Sequence, residues 1–187
     1  VYDELALDSS VEYTISYFET DSKESKNRSF NVFIIDLKLL TSKLAPIKEK
    51  TRYIDFVTTA PFLIKALYQK NFIEPDGTQA FVYFQKNDAF LTIYKNGTYL
   101  YSKSLHYSLD EMNEKFCELI GERIDEEEFY KILIKEGLKV TSGIHYETLI
   151  QLFSEIFSYI NDILVFAKRS YGIDFIDTVY IGSQIGV

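Results

Sequence analysis

Residues 80–105 read AFVYFQKNDAFLTIYKNGTYLYSKSL, and this stretch decides the fold. It breaks into three apolar runs separated by two short polar turns, which predicts three antiparallel strands in a row. The second turn, Lys95-Asn96-Gly97-Thr98, centres on Asn-Gly. That pair is the strongest short hairpin signal, because both turn residues need positive φ. Along the strands both alternating sets contain apolar residues, Phe81 and Tyr83 against Val82 and Phe84. A sheet of that kind needs a covering layer on each face. The first turn carries no glycine; it follows Tyr83, Phe84 and Gln85 and contains Asp88.

Downstream the chain reads as helical with clear punctuation. Ser108-Leu109-Asp110-Glu111 is a capping box, and Gly121 is a stop. Asp125 to Glu128 repeats the start signal and Gly137 the stop. Ser142 to Tyr171 carries Leu149, Phe153, Ile156, Ile160, Ile163 and Ala167 at helical spacing and ends at Gly172. This predicts a long helix packed across the sheet. Phe175 to Ile181 is a further strand, running into Gly182-Ser183-Gln184-Ile185-Gly186.

Upstream, Tyr13, Ile15 and Tyr17 alternate with Thr14 and Ser16, the pattern of a half-buried strand. Thr20 to Ser29 is a polar connection. Phe30 to Asp36 is more continuously apolar, which predicts a strand covered on both faces. A helix follows, with Leu37, Leu40 and Leu44 on one face and an end near Pro46. Tyr53 to Thr58 reads as another strand. Thr59-Ala60-Pro61 reads as an N-cap with proline in the first turn of a helix bearing Phe62, Leu63, Ala66 and Leu67. Glu74-Pro75-Asp76-Gly77 stops both helix and strand. It divides the chain into a first lobe, 1–74, with an inserted small subdomain, and a second lobe, 75–187.

Composition narrows the function. Net charge is −8, which argues against binding a nucleic-acid backbone. From Leu109 to Glu136 there are ten acidic and four basic residues. Such a run reads first as a solvated helical face. Its sharper reading is a docking face for a basic partner, with Glu126, Glu127 and Glu128 at its centre. Cys117 is alone, so neither a disulfide framework nor a thiol metal site is expected. His106 and His145 do not have metal-ligand spacing. No apolar run reads as long enough to span a bilayer, and no signal peptide is evident. The expectation is a cytoplasmic domain excised from something longer. The two sequons, at Asn27 and Asn96, then read as chance matches.

The second half resembles the actin-like ATPase superfamily, and within it the type IV pilus assembly proteins of the PilM group. The likeness rests on the meander ending in Tyr94-Lys95-Asn96-Gly97, the acidic residues at Asp125 to Glu128, the long helix, and Val179-Tyr180-Ile181-Gly182. The opening, Tyr2-Asp3-Glu4-Leu5 through Glu12-Tyr13-Thr14-Ile15, is similar to the small inserted subdomain this group shares with FtsA. The cytoplasmic domain of GspL-type secretion proteins is a close second within the superfamily. The resemblance implies an α/β, actin-like (ribonuclease H-like) mixed sheet with helices on both faces, partial or degenerate.

It also sets a test for chemistry. Actin-like ATPases wrap phosphates with glycine-bearing hairpins and hold Mg²⁺ with an acid, because backbone N–H groups must approach phosphate without a Cβ in the way. Counting back from Gly97, the family's Asp–apolar–Gly falls on Tyr83, Phe84 and Gln85, so the acid and the glycine are both missing; Asp88 comes later in the turn. The family's adenosine-site glycine pair is half kept, as Gly182 followed by Ser183. The family's first phosphate hairpin has no counterpart in the chain. The resemblance therefore implies a non-catalytic cytoplasmic scaffold with no bound cofactor, recruited to the inner membrane by gripping a short tail of a membrane partner. Residues from Phe30 to Phe72 are the expected source of that cleft, and strand addition at an edge such as Glu12 to Phe18 is a second mode. The alternative is an active actin-like ATPase or kinase, which an Asp–apolar–Gly hairpin upstream of Val1 would favour.

Overall fold

The structure is a computed structural model and describes residues 4–20, 29–55, 57–135 and 143–185. The chain divides into two compact units, Val1–Val57 and Thr58–Val187. In the first, strand β1 (Tyr13–Thr20) pairs antiparallel with β2 (Ser29–Asp36), in register from Tyr13↔Asp36 to Thr20↔Ser29. Helix α1 (Leu37–Lys48) follows without a loop. Asp36 caps it: its Oδ1 accepts from the N–H groups of Lys38 (2.7 Å) and Leu39 (3.1 Å), which satisfies donors that a helix start leaves free.

Three local expectations for this unit are corrected. The helix does not end near Pro46 but runs through it to Lys48. Proline there removes only the bond to the carbonyl of Ser42, inside the last turn, so the break is inexpensive. Strand β2 is not covered on both faces: Phe30 and Val32 are exposed, because a two-stranded ladder gives its apolar run no second sheet layer. Tyr53 to Thr58 forms no strand at its described positions, and Tyr53 is exposed. β-propensity without a neighbouring ladder does not make a strand.

The second unit opens with α2 (Ala60–Gln69), whose N-cap position is Thr59 with Pro61 in the first turn; the threonine side chain makes no capping bond. Strands β3 (Thr78–Phe84), β4 (Ala89–Lys95) and β5 (Thr98–Ser104) form the meander. Asn96 and Gly97, at φ 50° and 73°, make the turn between the last two, as the Asn-Gly signal requires. Helices α3 (Leu109–Ile120), α4 (Glu126–Lys135) and α5 (Tyr146–Tyr171) lead to β6 (Thr178–Ser183). The sheet order is β5-β4-β3-β6, with β6 parallel to β3 and the other pairs antiparallel. The expected terminal strand is thus present, three residues further along than Phe175.

One face of the sheet carries Ala80, Val82, Phe84, Leu91 and Ile93 into a core with Met112 and Phe116 of α3, Phe129 and Leu133 of α4, and Leu149, Leu152, Ile156 and Ile160 of α5. The other face carries Phe81 and Tyr94 against Tyr68 of α2. Helices therefore cover both faces of a mixed sheet. Helix α5 starts at Tyr146 and stops at Gly172, which takes φ 61°; Gly137 and Ser142 lie outside the described residues. At 26 residues α5 is long and apolar enough, by length and composition, to cross a membrane. That corrects the expectation that no such run exists. Its buried stripe, however, is the core of this unit.

The lobe boundary expected at 74/75 falls inside the second unit, since α2 packs on the sheet. Under α2, the Tyr68 hydroxyl donates to Gln79 Oε1 (2.6 Å), and Gln79 Nε2 donates to the Glu74 carbonyl (3.0 Å). Burial pushes the Tyr68 hydroxyl up to about 12. Both side chains are buried, so Tyr68→Phe leaves a buried acceptor without its donor. We expect a loss of about 1–3 kcal/mol in chemical denaturation; a loss below about 0.3 kcal/mol would show the network to be dispensable.

Candidate functional site

The parallel register of β3 and β6 brings together the two loops singled out by sequence. Tyr83 lies opposite Gly182 and Phe84 opposite Ser183. Beyond the strands, Gln184 N–H donates to the Phe84 carbonyl (2.9 Å), and Lys86 N–H donates to Gln184 Oε1 (3.0 Å). The β3–β4 turn closes on itself through Gln85 N–H to the Asp88 carbonyl (2.7 Å). Asp88 itself is exposed at the turn.

Glycine at 182 serves packing. A Cβ built there would come within 3.0 Å of the Tyr83 ring, which lies over it. The same ring sits 5.9 Å from that of Phe90. The space above Gly182 is thus occupied by an aromatic side chain.

The turn is also tied to the helices. The Gln85 and Lys86 carbonyls accept from Leu109 N–H (2.9 Å) and Asp110 N–H (3.0 Å), the first two amides of α3. The next amide, Glu111 N–H, goes to Ser108 Oγ (3.2 Å), and Ser108 N–H goes to Glu111 Oε2 (2.6 Å). The capping box read from sequence is present, and the backbone donors from 108 to 111 all have partners. Asn87 Nδ2 donates to Asp110 Oδ2 (2.6 Å), and Lys86 pairs with Glu126 at the start of α4. The hydrogen bond to Lys86 holds the Glu126 carboxyl below its ordinary value, and the same bond raises the Lys86 ammonium. Burial, with the Glu126 carboxylate beside it, pushes the Tyr130 hydroxyl up.

The three glutamates are not equivalent. Glu126 is engaged with Lys86; Glu127 reaches Lys131 at 4.0 Å and is otherwise exposed; Glu128 is exposed, its N–H donating to Asp125 Oδ1 (2.8 Å). Sequence reading missed Lys86, Asn87, Asp110 and Gln184. The capping box marked the helix start that receives the turn, but the Gln184–Lys86 bond spans 98 residues and has no local signal. The Phe30 to Phe72 stretch runs across the division between the units.

No protein-family model and no curated protein matches the chain. Among solved structures it aligns with a chain of a PilM-PilN type IV pilus biogenesis complex, at a TM-score of 0.65 and 12% identity, covering 97% of this chain and 52% of that one. An apo psk41 parM protein aligns at a TM-score of 0.38 and 12% identity, covering 59% of this chain and 30% of that one. The chain therefore spans about half the length of the PilM-PilN chain it matches. The mixed sheet with helices on both faces is part of an actin-like fold, matched over about half of the PilM-PilN chain.

Proposed function

We propose that the chain is a non-catalytic scaffold of a type IV pilus or related secretion machine. It holds a short cytoplasmic tail of an inner-membrane partner and acts on the cytoplasmic side of that membrane. The observation that carries this is the structural likeness to a PilM-PilN complex over 97% of the chain. The absence of catalysis is supported by the turn at Tyr83 to Asp88, where the carbonyls of Phe84, Gln85, Lys86 and Asp88, the amides of Gln85 and Lys86, and the side chains of Lys86 and Asn87 are committed to neighbouring protein groups.

The test is affinity capture with the intact protein on detergent-solubilised inner membranes. A co-purifying protein with one membrane span, whose synthetic cytoplasmic tail binds directly, supports the scaffold. Recovery of a membrane protein whose tail does not bind, or no recovery, overturns it. The acidic face adds a kinetic prediction. Glu127→Lys with Glu128→Lys should slow association with a basic tail about three- to tenfold at low salt, and salt should do the same, because the Debye length falls from about 14 Å to about 4 Å between 0.05 and 0.5 M. Glu126 is left unchanged, since a lysine there would face Lys86 and disturb the turn. An association rate indifferent to both changes removes the acidic face from recognition.

A further inference from the structure

Strand β5 is one of the two outer strands of the four-stranded sheet, and α5 runs alongside the face from which Tyr101 and Lys103 project. Between them lies a pocket of about 270 Å³ lined by Tyr101 and Lys103 of β5 and by Tyr159, Asp162, Ile163 and Phe166 of α5. The α5 residues sit at i, i+3, i+4 and i+7, one face of the helix. The β5 residues sit two apart, one face of the strand. Ile163 is the buried floor, while Phe166 is 56% exposed. The Tyr101 ring lies 6.2 Å from Phe166 and 5.4 Å from Tyr171, which is also exposed. Burial raises the Tyr101 hydroxyl, with those of Tyr171 and Tyr159 near enough to add to the effect.

We propose that this edge and pocket bind a basic segment in extended conformation, which adds as a strand beside β5 and places an arginine side chain in the aromatic pocket against Asp162. The inference rests on the reading of the chain as a scaffold for a partner's tail and names where and how such a tail is held. An edge strand offers unpaired backbone donors and acceptors, so main-chain bonding supplies affinity and an adjoining side-chain pocket supplies selection. A strand added about 4.8 Å outside β5 turns alternate side chains toward α5, a reach that suits a long side chain. Arginine fits the walls: its flat guanidinium stacks on aromatic faces and pairs with carboxylate. Asp162 is exposed and, among the described residues, forms no ion pair. Lys103 lines the same pocket without pairing with it, so the carboxylate remains open to a guest. The chain's net charge of −8 favours encounter with a basic segment. An edge lysine also guards against indiscriminate strand pairing, so only a segment that gains from the pocket overcomes it.

The probe is a fluorescein-labelled peptide, Ser-Thr-Val-Arg-Val-Thr-Ser, measured by anisotropy against the whole chain. Four comparison peptides carry citrulline in place of arginine, norleucine in place of arginine, or N-methylated backbone amides on one or the other set of alternate residues. We expect the arginine peptide to bind about fivefold more tightly than the citrulline and norleucine forms, the size of a part-exposed ion pair with a cation–π contact. At least one N-methylated phase should fail to bind. Asp162→Asn should erase the preference for arginine over citrulline, Phe166→Ala should weaken the arginine peptide about threefold, and both positions are exposed enough to spare folding. Bound peptide should slow hydrogen exchange in β5 and leave β1 unchanged. Equal binding of arginine and citrulline peptides, survival of the preference in Asp162→Asn, tolerance of both methylation phases, protection away from β5, or no binding overturns the proposal. Membrane capture of a partner alongside no peptide preference would leave the scaffold reading intact and remove this site; the reverse pattern would do the opposite.

Discussion

Replacing Phe129 with alanine is expected to lower the free energy of unfolding by about 3–5 kcal/mol, the usual cost of deleting a fully buried aromatic side chain. Phe129 has no exposed surface, and its ring centre lies 5.3 Å from that of Phe116, which is equally buried. Helix α4 has ten residues and buries only Phe129 and Leu133. A helix that short is not stable without its packed face, so the cavity removes much of what holds α4. Glu126, on the first turn of α4, is the partner of Lys86 in the β3–β4 turn. The same substitution should therefore speed hydrogen exchange in α4 and in the 85–88 turn together. Small domains are stable by only about 5–15 kcal/mol, so a loss of this size shifts the denaturation midpoint far outside error. Phe157→Ala, at a residue 39% exposed on α5, should cost under about 1 kcal/mol and serves as the control. A loss below about 1 kcal/mol at Phe129, or exchange confined to α4, would separate the core from the turn.

What could be read before the structure was local. Asn96-Gly97, the Ser108–Glu111 capping box, Gly121 and Gly172 each fix a backbone conformation through a few adjacent residues, and each is where the sequence places it. The alternating apolar sets of β3 and β4 correctly demanded two covering layers, because periodicity reports which faces are buried. Helix α5 shows the limit of that signal: Leu152 is fully buried, while neighbouring Phe153, assigned to the stripe, is only half-buried. At 3.6 residues per turn the boundary of a stripe is blurred by one position. Tyr53 to Thr58 had strand composition but its described residues join no ladder, since pairing is settled by partners distant in sequence. The meeting of Tyr83 with Gly182, and of Lys86 with Gln184, was illegible for the same reason. That residues 83–85 carry neither an acid nor a glycine could be seen; that the Tyr83 ring lies over Gly182 could not.

That arrangement governs the nucleotide prediction. ATP with Mg²⁺, titrated to several millimolar against this chain, is expected to give no saturable heat. A phosphate held at a helix start or a glycine turn needs backbone N–H groups left free to point at it. Here the amides of Leu109 and Asp110 are taken by the carbonyls of Gln85 and Lys86, that of Glu111 by Ser108, and that of Ser108 by Glu111. The Lys86 amide is taken by Gln184, and that of Gln85 by the Asp88 carbonyl. The Lys86 ammonium, the obvious cation for a phosphate, is paired with Glu126. Tyr83 lies over Gly182, where a ligand would need open backbone. Each lost donor would have to be replaced by a phosphate contact of equal worth, so binding would exchange bonds rather than gain them. Tyr83→Gly with Gln85→Gly clears the side chains but leaves the turn carbonyls on the α3 amides, so it too should bind no ATP at millimolar concentration. Saturable binding in the micromolar range by the unmodified chain would overturn the non-catalytic reading. Micromolar binding by the double variant alone would show instead that Tyr83 and Gln85, rather than the committed backbone, close the site.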